Sequence, residues 1–152
     1  MKFPYAICSS SPAHTEGVGE ELASLFTADT SLPPFVALFG DLGVGKTAFV
    51  RGFTRVFSQN ARVKSPTFSL VNEYKGDKMS VFHFDMYRIT DEDELYSIGF
   101  YDYLDRRGIC LTEWSENIEF ALPERYLRVE ILKSRPEEAP DERIINITLE
   151  EQ

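Results

Sequence analysis

The chain has 152 residues, 43% of them hydrophobic and 13% aromatic, and 25 Asp and Glu against 16 Lys and Arg give it a formal net charge of −9. This length and composition predict one globular domain over residues 1–152, and the charge argues against strong direct binding to a nucleic acid, whose phosphates would be repelled. The N-terminus lacks the pattern of a signal peptide, no apolar run is long enough to span a membrane, and Cys8 and Cys110 have no metal-site spacing, so we expect a cytoplasmic protein.

The first half of the chain predicts two strands, each followed by a helix. Residues 3–8 are typical of a short strand, and Ser11-Pro12 is typical of a helix start, because serine caps helices and proline suits the first turn. Residues 35–39, FVALF, form an unbroken apolar run, as expected of a parallel strand covered on both faces. From Lys46 onward, apolar side chains recur at the spacing of one helix face.

The second half of the chain predicts mostly strands. Gly76-Asp77 separates two strand-like segments and predicts a hairpin. The predicted strands are 67–74, 79–87, 109–114, 126–132 and 143–149, with one or two short helices within 91–107. The last two strands flank an acidic, proline-bearing loop and predict a second antiparallel pair.

A glycine-rich segment, GDLGVGKT, lies between the apolar strand and the helix and satisfies the pattern G-x-x-x-x-G-K-[ST]. Successive backbone N–H groups at a helix N-terminus bind phosphate, Lys46 is expected against the β and γ phosphates, and the Thr47 hydroxyl is expected as a Mg²⁺ ligand. A purely structural glycine turn would leave Lys46 unexplained. The predicted nucleotide contacts are Gly40, Asp41, Leu42, Gly43, Val44, Gly45, Lys46, Thr47 and Ala48.

With this loop the elements predict an α/β fold, a three-layer domain like those of P-loop NTPases. Its central sheet is expected to be mixed and mainly parallel, with antiparallel hairpins.

Two carboxylates close predicted strands and are candidates for the metal site. Asp85 ends VFHFD and Glu113 ends ICLTE. Alone, each would more often be a solvated or capping group, but beside a phosphate loop both are predicted Mg²⁺ ligands at the carboxyl edge of the sheet. His83, two residues before Asp85, is either a general base or, as we favour, a packed, hydrogen-bonded histidine.

The polar segment Lys64-Ser65-Pro66-Thr67 has two interpretations. It is either a plain connection or a switch in which Ser65 or Thr67 senses the γ-phosphate through its hydroxyl group. Trp114, the sole tryptophan, follows Glu113 directly and by area alone would be a core or rim aromatic.

Several motifs occur in one order between about Leu38 and Pro123. They are GDLGVGKT, VKSPTFSLVNEY, HFDMYRI, the spaced residues Glu94, Gly99 and Tyr103, LTEW, and Leu122-Pro123. Together they resemble the TsaE (YjeE) family of small bacterial P-loop ATPases, which are needed for the threonylcarbamoyladenosine modification of tRNA.

This resemblance implies ATP (or ADP) and Mg²⁺ binding, weak hydrolysis by the protein alone, and action on a complex of TsaD and TsaB, with tRNA reached only through that complex. It implies a phosphate-binding role for Lys46, Mg²⁺ ligands at Thr47 and Glu113, a Walker-B-like acid at Asp85 and a switch role for Thr67. It also implies that Trp114 lies beside the nucleotide, and it suggests an adenine contact near Thr15. The catalytic residues would then be Lys46, Asp85, Glu113 and Thr67.

The sequence departs from the family pattern at Val44, Ala48 and Ser115, where relatives more often have Ala, a second Ser or Thr, and Pro. If the second hydroxyl helps turnover in relatives, Ala48 supplies no such help here.

Two other functions are alternatives to an ATPase. A small-metabolite kinase would need an arginine-rich lid, whereas Arg51, Arg55, Arg62 and Arg88 are scattered. A nucleotide-sensing module would bind without useful turnover, and a GTPase is disfavoured because no N-K-x-D motif occurs.

Overall fold

The computed structural model describes residues 1–66 and 69–151, and its helices and strands follow the predicted order. Ser11 caps the first helix, because its side chain accepts a hydrogen bond from the His14 N–H at 3.1 Å. The strands are β1 (Tyr5–Ser9), β2 (Phe35–Phe39), β3 (Val71–Tyr74), β4 (Ser80–Asp85), β5 (Gly108–Glu113), β6 (Arg125–Lys133) and β7 (Arg143–Glu151). The helices are α1 (Pro12–Ala28), α2 (Lys46–Phe57), α3 (Glu92–Ser97) and α4 (Phe100–Leu104), and Ser115–Ala121 forms a 3₁₀ helix.

The seven strands found in the described residues form one sheet in the order β1-β7-β6-β2-β5-β4-β3. The four central strands, β6, β2, β5 and β4, are parallel to their neighbours within this group. Antiparallel pairs lie at both sides, where β7 joins β6 to β1 and β3 pairs with β4. The predicted mixed α/β sheet with antiparallel hairpins is therefore confirmed.

Two apolar cores on opposite faces of the sheet make the fold three-layered. Val36 and Leu38 of β2 belong to the core that includes the apolar faces of α1 and α2. Phe35 and Phe39 of the same strand belong to the other core, which takes Phe100 of α4 and further side chains from α3 and the 3₁₀ helix. Every residue of β2 is buried, because side chains that alternate along a central strand are covered on both faces.

Some predicted boundaries differ from the observed ones. The strand predicted at 79–87 ends at Asp85, because the Asp85 carboxylate accepts the Tyr87 N–H at 3.0 Å and turns the chain there. The strand predicted at 109–114 ends at Glu113, because Trp114 has a left-handed backbone, with φ of 59°. Thr67 and Phe68, at the start of the strand predicted at 67–74, lie outside the described residues, and β3 begins at Val71.

A search of the described residues for a membrane-crossing helix, one both long and apolar enough, finds none.

Candidate functional site

The loop between β2 and α2 is shaped by glycines. Gly40 and Gly45 have φ of 144° and 108°, a region that side chains with a Cβ rarely adopt. A Cβ on Gly40 would lie 2.6 Å from the Ile131 carbonyl oxygen of β6. Since Gly45 is the cap of α2 and has no side chain, the first turn of this helix begins with no side-chain cap. The loop therefore presents a helix N-terminus at the carboxyl edge of the sheet.

Lys46, the first residue of α2, is almost fully buried, with 4% of its surface exposed. Its Nζ donates a hydrogen bond to the Gly40 carbonyl and lies 3.7 Å from the centroid of the Trp114 ring. Burial lowers the pKa of Lys46, because the charged amine is desolvated, and nearby carboxylates oppose that shift. These carboxylates belong to Glu116, Glu113, Asp85 and Asp41.

A hydrogen-bonded chain joins the start of α2 to β5 and β4. The Thr47 hydroxyl lies 3.2 and 3.1 Å from the two carboxylate oxygens of Glu113, which is 5% exposed. The second of these oxygens is 2.5 Å from Nε2 of His83, and His83 is fully buried. His83 is therefore packed and hydrogen-bonded, as we favoured, and it orients the carboxylate that contacts Thr47.

Asp85 ends β4 directly beside Glu113, because the parallel pairing of β4 and β5 places these two residues opposite each other. One Asp85 oxygen accepts the Tyr87 N–H, and the other accepts the Ser65 hydroxyl at 3.3 Å. The segment before β3 thus reaches the candidate site through Ser65. The switch role predicted for Thr67 falls on a residue outside the described ones and stays a prediction.

Trp114 and the residues after it form one wall of the site. The left-handed backbone at Trp114, which is unusual for a bulky residue, directs its ring over Lys46, and the ring centroid lies 5.1 Å from that of Tyr87. Ser115 stabilises this turn, because its buried hydroxyl lies 2.7 Å from the Thr112 hydroxyl and donates to the Thr112 carbonyl at 2.9 Å. A proline at 115 would lack this hydroxyl.

Glu116 is a site residue that the sequence interpretation missed. Its carboxylate accepts the backbone N–H of Gly40 at 3.0 Å, which links the 3₁₀ helix to the start of the glycine loop. The one available signal was its position three residues after Glu113, which could place both acids on one side of a turn.

The remaining predicted contacts differ in exposure. Asp41, Leu42 and Gly43 are exposed, Val44 is buried, and Ala48 is half-buried. Thr15 is buried behind the loop, where its hydroxyl is 2.8 Å from the Ser9 hydroxyl and its methyl carbon faces Gly45. The adenine contact suggested for Thr15 stays a prediction.

These groups together offer donors for an anion and oxygen ligands for a cation. The helix N-terminus and the Lys46 amine are suited to phosphate oxygens, and the Thr47 and Glu113 oxygens are suited to Mg²⁺. In residues 1–66 and 69–151, no three His, Cys, Asp or Glu side chains are grouped so as to hold a metal ion.

The chain resembles known proteins in sequence and in structure. A family model described as threonylcarbamoyl adenosine biosynthesis protein TsaE matches residues 9–144. The tRNA threonylcarbamoyladenosine biosynthesis protein TsaE of Haemophilus influenzae is 45% identical over 63% of this chain and 61% of its own length. The protein of the same name from Bacillus subtilis is 36% identical over 84% of this chain and 77% of its own. The crystal structure of Bacillus subtilis YdiB superposes with a TM-score of 0.73 at 28% identity, covering 97% of this chain and 86% of that one.

Proposed function

The chain belongs to the TsaE family of threonylcarbamoyl adenosine biosynthesis proteins, and from this premise we propose that it is a Mg²⁺-dependent ATPase. Its role lies in the biosynthesis of threonylcarbamoyladenosine on tRNA, the process for which its relatives are named. ATP binding and hydrolysis would support transfer of the threonylcarbamoyl group to the adenosine next to the anticodon.

The observation that carries this proposal is the contact between Thr47 and Glu113. A hydroxyl from the first turn of α2 and a carboxylate from the end of β5 meet within 3.2 Å, next to the almost buried amine of Lys46. Oxygen ligands of this kind beside a phosphate-binding helix N-terminus are the parts that Mg²⁺-dependent phosphoryl transfer requires.

Each residue of the site has a separate task under this proposal. The backbone N–H groups of the loop from Gly40 to Thr47 would hold the phosphates, and Lys46 would exchange its bond to the Gly40 carbonyl for phosphate oxygens. Thr47 and Glu113 would hold Mg²⁺, with Asp85 beside them. The metal ion would neutralise phosphate charge.

Positioning and shielding of these groups would come from their neighbours. His83 would keep the Glu113 carboxylate in the orientation that faces Thr47, since it holds one of its oxygens from the buried side. Trp114 would cover the Lys46 amine and limit the access of water to it.

Partner proteins belong to the same proposal. The net charge of −9 does not favour direct contact with tRNA, so tRNA would be reached through the complex of TsaD and TsaB. The protein would hydrolyse ATP weakly alone and faster with those partners. Since that complex modifies tRNA, ATP hydrolysis by this chain would take place in the cytoplasm, and one P-loop domain over residues 1–152 would carry it out.

The test is phosphate release from ATP by the purified chain with Mg²⁺, measured alone and with purified TsaD and TsaB. We expect slow release by the chain alone and faster release when both partners are present. Nucleotide binding without release would make the chain a sensing module, and transfer of phosphate to a metabolite would make it a kinase. A titration that detects no adenine nucleotide binding would overturn the proposal entirely.

A further inference from the structure

Arg143, the first residue of β7, lies against the glycine loop, although about 100 residues separate the two in sequence. Its Nε donates to the Val44 carbonyl at 2.7 Å, and one terminal nitrogen donates to the Gly43 carbonyl at 3.3 Å. The other terminal nitrogen donates to the carbonyls of Pro140 and Glu142, at 2.6 and 2.9 Å. One guanidinium group thus binds two loop carbonyls and anchors itself on the chain that leads into β7.

The geometry of the peptide group makes these bonds relevant to phosphate binding. In a trans peptide, the carbonyl and the N–H of the next residue point in opposite directions. Holding the Val44 carbonyl toward Arg143 therefore turns the Gly45 N–H away from β7. The bond to the Gly43 carbonyl holds the preceding peptide group, whose Val44 N–H donates within the loop to the Asp41 carbonyl at 3.4 Å. Within residues 1–66 and 69–151, no acceptor is bonded to the Gly45 N–H.

Arg143 forms no ion pair with a carboxylate in the described part of the chain, although the chain contains 25 Asp and Glu residues. Its four partners are neutral carbonyl oxygens. A positive charge therefore stays directly behind the loop, where it favours an anion on the other side.

From these contacts we propose that Arg143 is a positioning residue for the phosphate loop. It holds the Gly43 and Val44 carbonyls so that the Gly45 N–H faces the phosphates of a nucleotide, and it adds positive charge behind the loop. This inference rests on the proposed function, because it assigns the loop to a nucleotide. It also gives β7, an antiparallel strand, a part in a site that is otherwise built on the parallel strands.

The test compares wild-type protein with Arg143→Met and Arg143→Lys. Calorimetric titration with Mg²⁺-ADP should show binding about 30-fold weaker for Arg143→Met, since two hydrogen bonds from a charged donor are lost. Arg143→Lys, which keeps the charge on a single donor nitrogen, should recover most of that loss. In the nucleotide-free proteins, amide hydrogen exchange in the peptide that covers residues 40–48 should be at least about tenfold faster for Arg143→Met than for wild type.

Arg125→Met is the matched control. Arg125 is the first residue of β6 and donates from both terminal nitrogens to one loop carbonyl, that of Ser31, at 3.3 and 3.4 Å. Its replacement should leave both the ADP affinity and the exchange of residues 40–48 unchanged. If Arg143→Met does not fold by circular dichroism, Arg143→Gln, which keeps a donor without the charge, takes its place in both measurements.

The outcomes separate this inference from the proposed function. Wild-type affinity and wild-type exchange in a folded Arg143 variant would overturn the inference while the ATPase proposal stands. If the wild type itself fails to bind ADP, the proposed function fails. The exchange rates then still show whether Arg143 holds the loop, and unchanged rates would overturn that part as well.

Discussion

The beginning and the body of α2 lie in contrasting environments. At the beginning, the buried groups are polar or charged, and Lys46, His83 and Glu113 are all less than 6% exposed. In the body, the buried face is mostly apolar and packs closely on α1, as in the edge-to-face contact of the Phe26 and Phe53 rings, whose centroids are 5.6 Å apart.

This difference indicates which part of α2 provides function and which provides stability. Burying charge costs free energy unless each group finds a partner, so the cluster at the start of α2 does little to explain the stability of the fold. The α1–α2 interface removes apolar surface from water and so stabilises the protein, but it takes no part in nucleotide binding or hydrolysis. Substitutions in the two regions should therefore have separable effects.

The largest effect is expected for Lys46→Met. ATP hydrolysis should fall by about 1000-fold, because a charge that stabilises the transferred phosphoryl group is removed. The same variant should unfold at a higher temperature than wild type near pH 7, since burial lowers the pKa of Lys46 and so disfavours the charged form in the fold. Phosphate release and thermal unfolding measure the two effects.

The pH dependence of stability sharpens this prediction. Because the pKa of Lys46 is lower in the folded than in the unfolded state, wild type should gain stability relative to Lys46→Met as the pH rises through the lowered pKa toward 10.5. Thermal unfolding of both proteins from about pH 7 to pH 10 measures this difference. If Lys46→Met is less stable than wild type at pH 7, the burial of the charged Lys46 amine does not destabilise the fold.

Asp85→Asn should separate binding from hydrolysis. We expect ATP affinity close to wild type and hydrolysis reduced on the order of 500-fold, because the carboxylate charge is lost while the Tyr87 N–H keeps an acceptor. Equilibrium titration and phosphate release measure the two quantities. Equal losses in both would instead point to a role in folding.

Glu113→Gln should reduce Mg²⁺-dependent hydrolysis on the order of 100-fold, because a ligand oxygen loses its charge while the side chain keeps its shape. Circular dichroism should show an unchanged fold. Glu119→Gln, at an exposed position of the 3₁₀ helix, serves as the control and should hydrolyse ATP at the wild-type rate. Turnover near wild type in Glu113→Gln would remove Glu113 from the site.

Gly52→Ala tests the body of α2 and should affect stability alone. A Cβ there would lie 1.9 Å from the Glu16 carbonyl oxygen of α1, so the helices must separate, and the free energy of unfolding should fall by about 3 kcal/mol. Denaturant unfolding measures this loss, and the ADP affinity of the folded protein should stay within about twofold of wild type.

Gly17→Ala is the matched control on α1, where nothing lies within 4 Å of the added Cβ. This change should raise the free energy of unfolding by up to about 1 kcal/mol, because alanine favours a helix over glycine. If Gly52→Ala proves as stable as wild type, the close packing of the two helices does not limit stability.

Local patterns in the sequence were sufficient for much of the fold. The strand at 35–39 and the helix start at Lys46 were predicted at the positions where they occur, because an apolar run and a helical repeat are properties of neighbouring residues. Strand ends were predicted less well, since the chain turns at Asp85 and Trp114 through one side-chain bond and one unusual backbone angle.

The sequence predicted that Thr47 and Glu113 share a metal site, but it did not predict the other hydrogen bonds between distant segments. Glu116 bonds to Gly40 across 76 positions, His83 to Glu113 across 30, and Arg143 to Gly43 across 100. No periodicity links such residues, because strand order and register decide which of them meet.

The sequence by itself determined the α/β class, the glycine loop and its lysine, and the family of the chain, because each depends on residues that are close in sequence or occur in a characteristic order. Only the tertiary structure decided that β4 and β5 are neighbours, that Glu113 contacts both Thr47 and His83, and that Arg143 lies behind the loop. The physical reason is that side-chain hydrogen bonds act over about 3 Å, so they form only after packing has brought distant segments together.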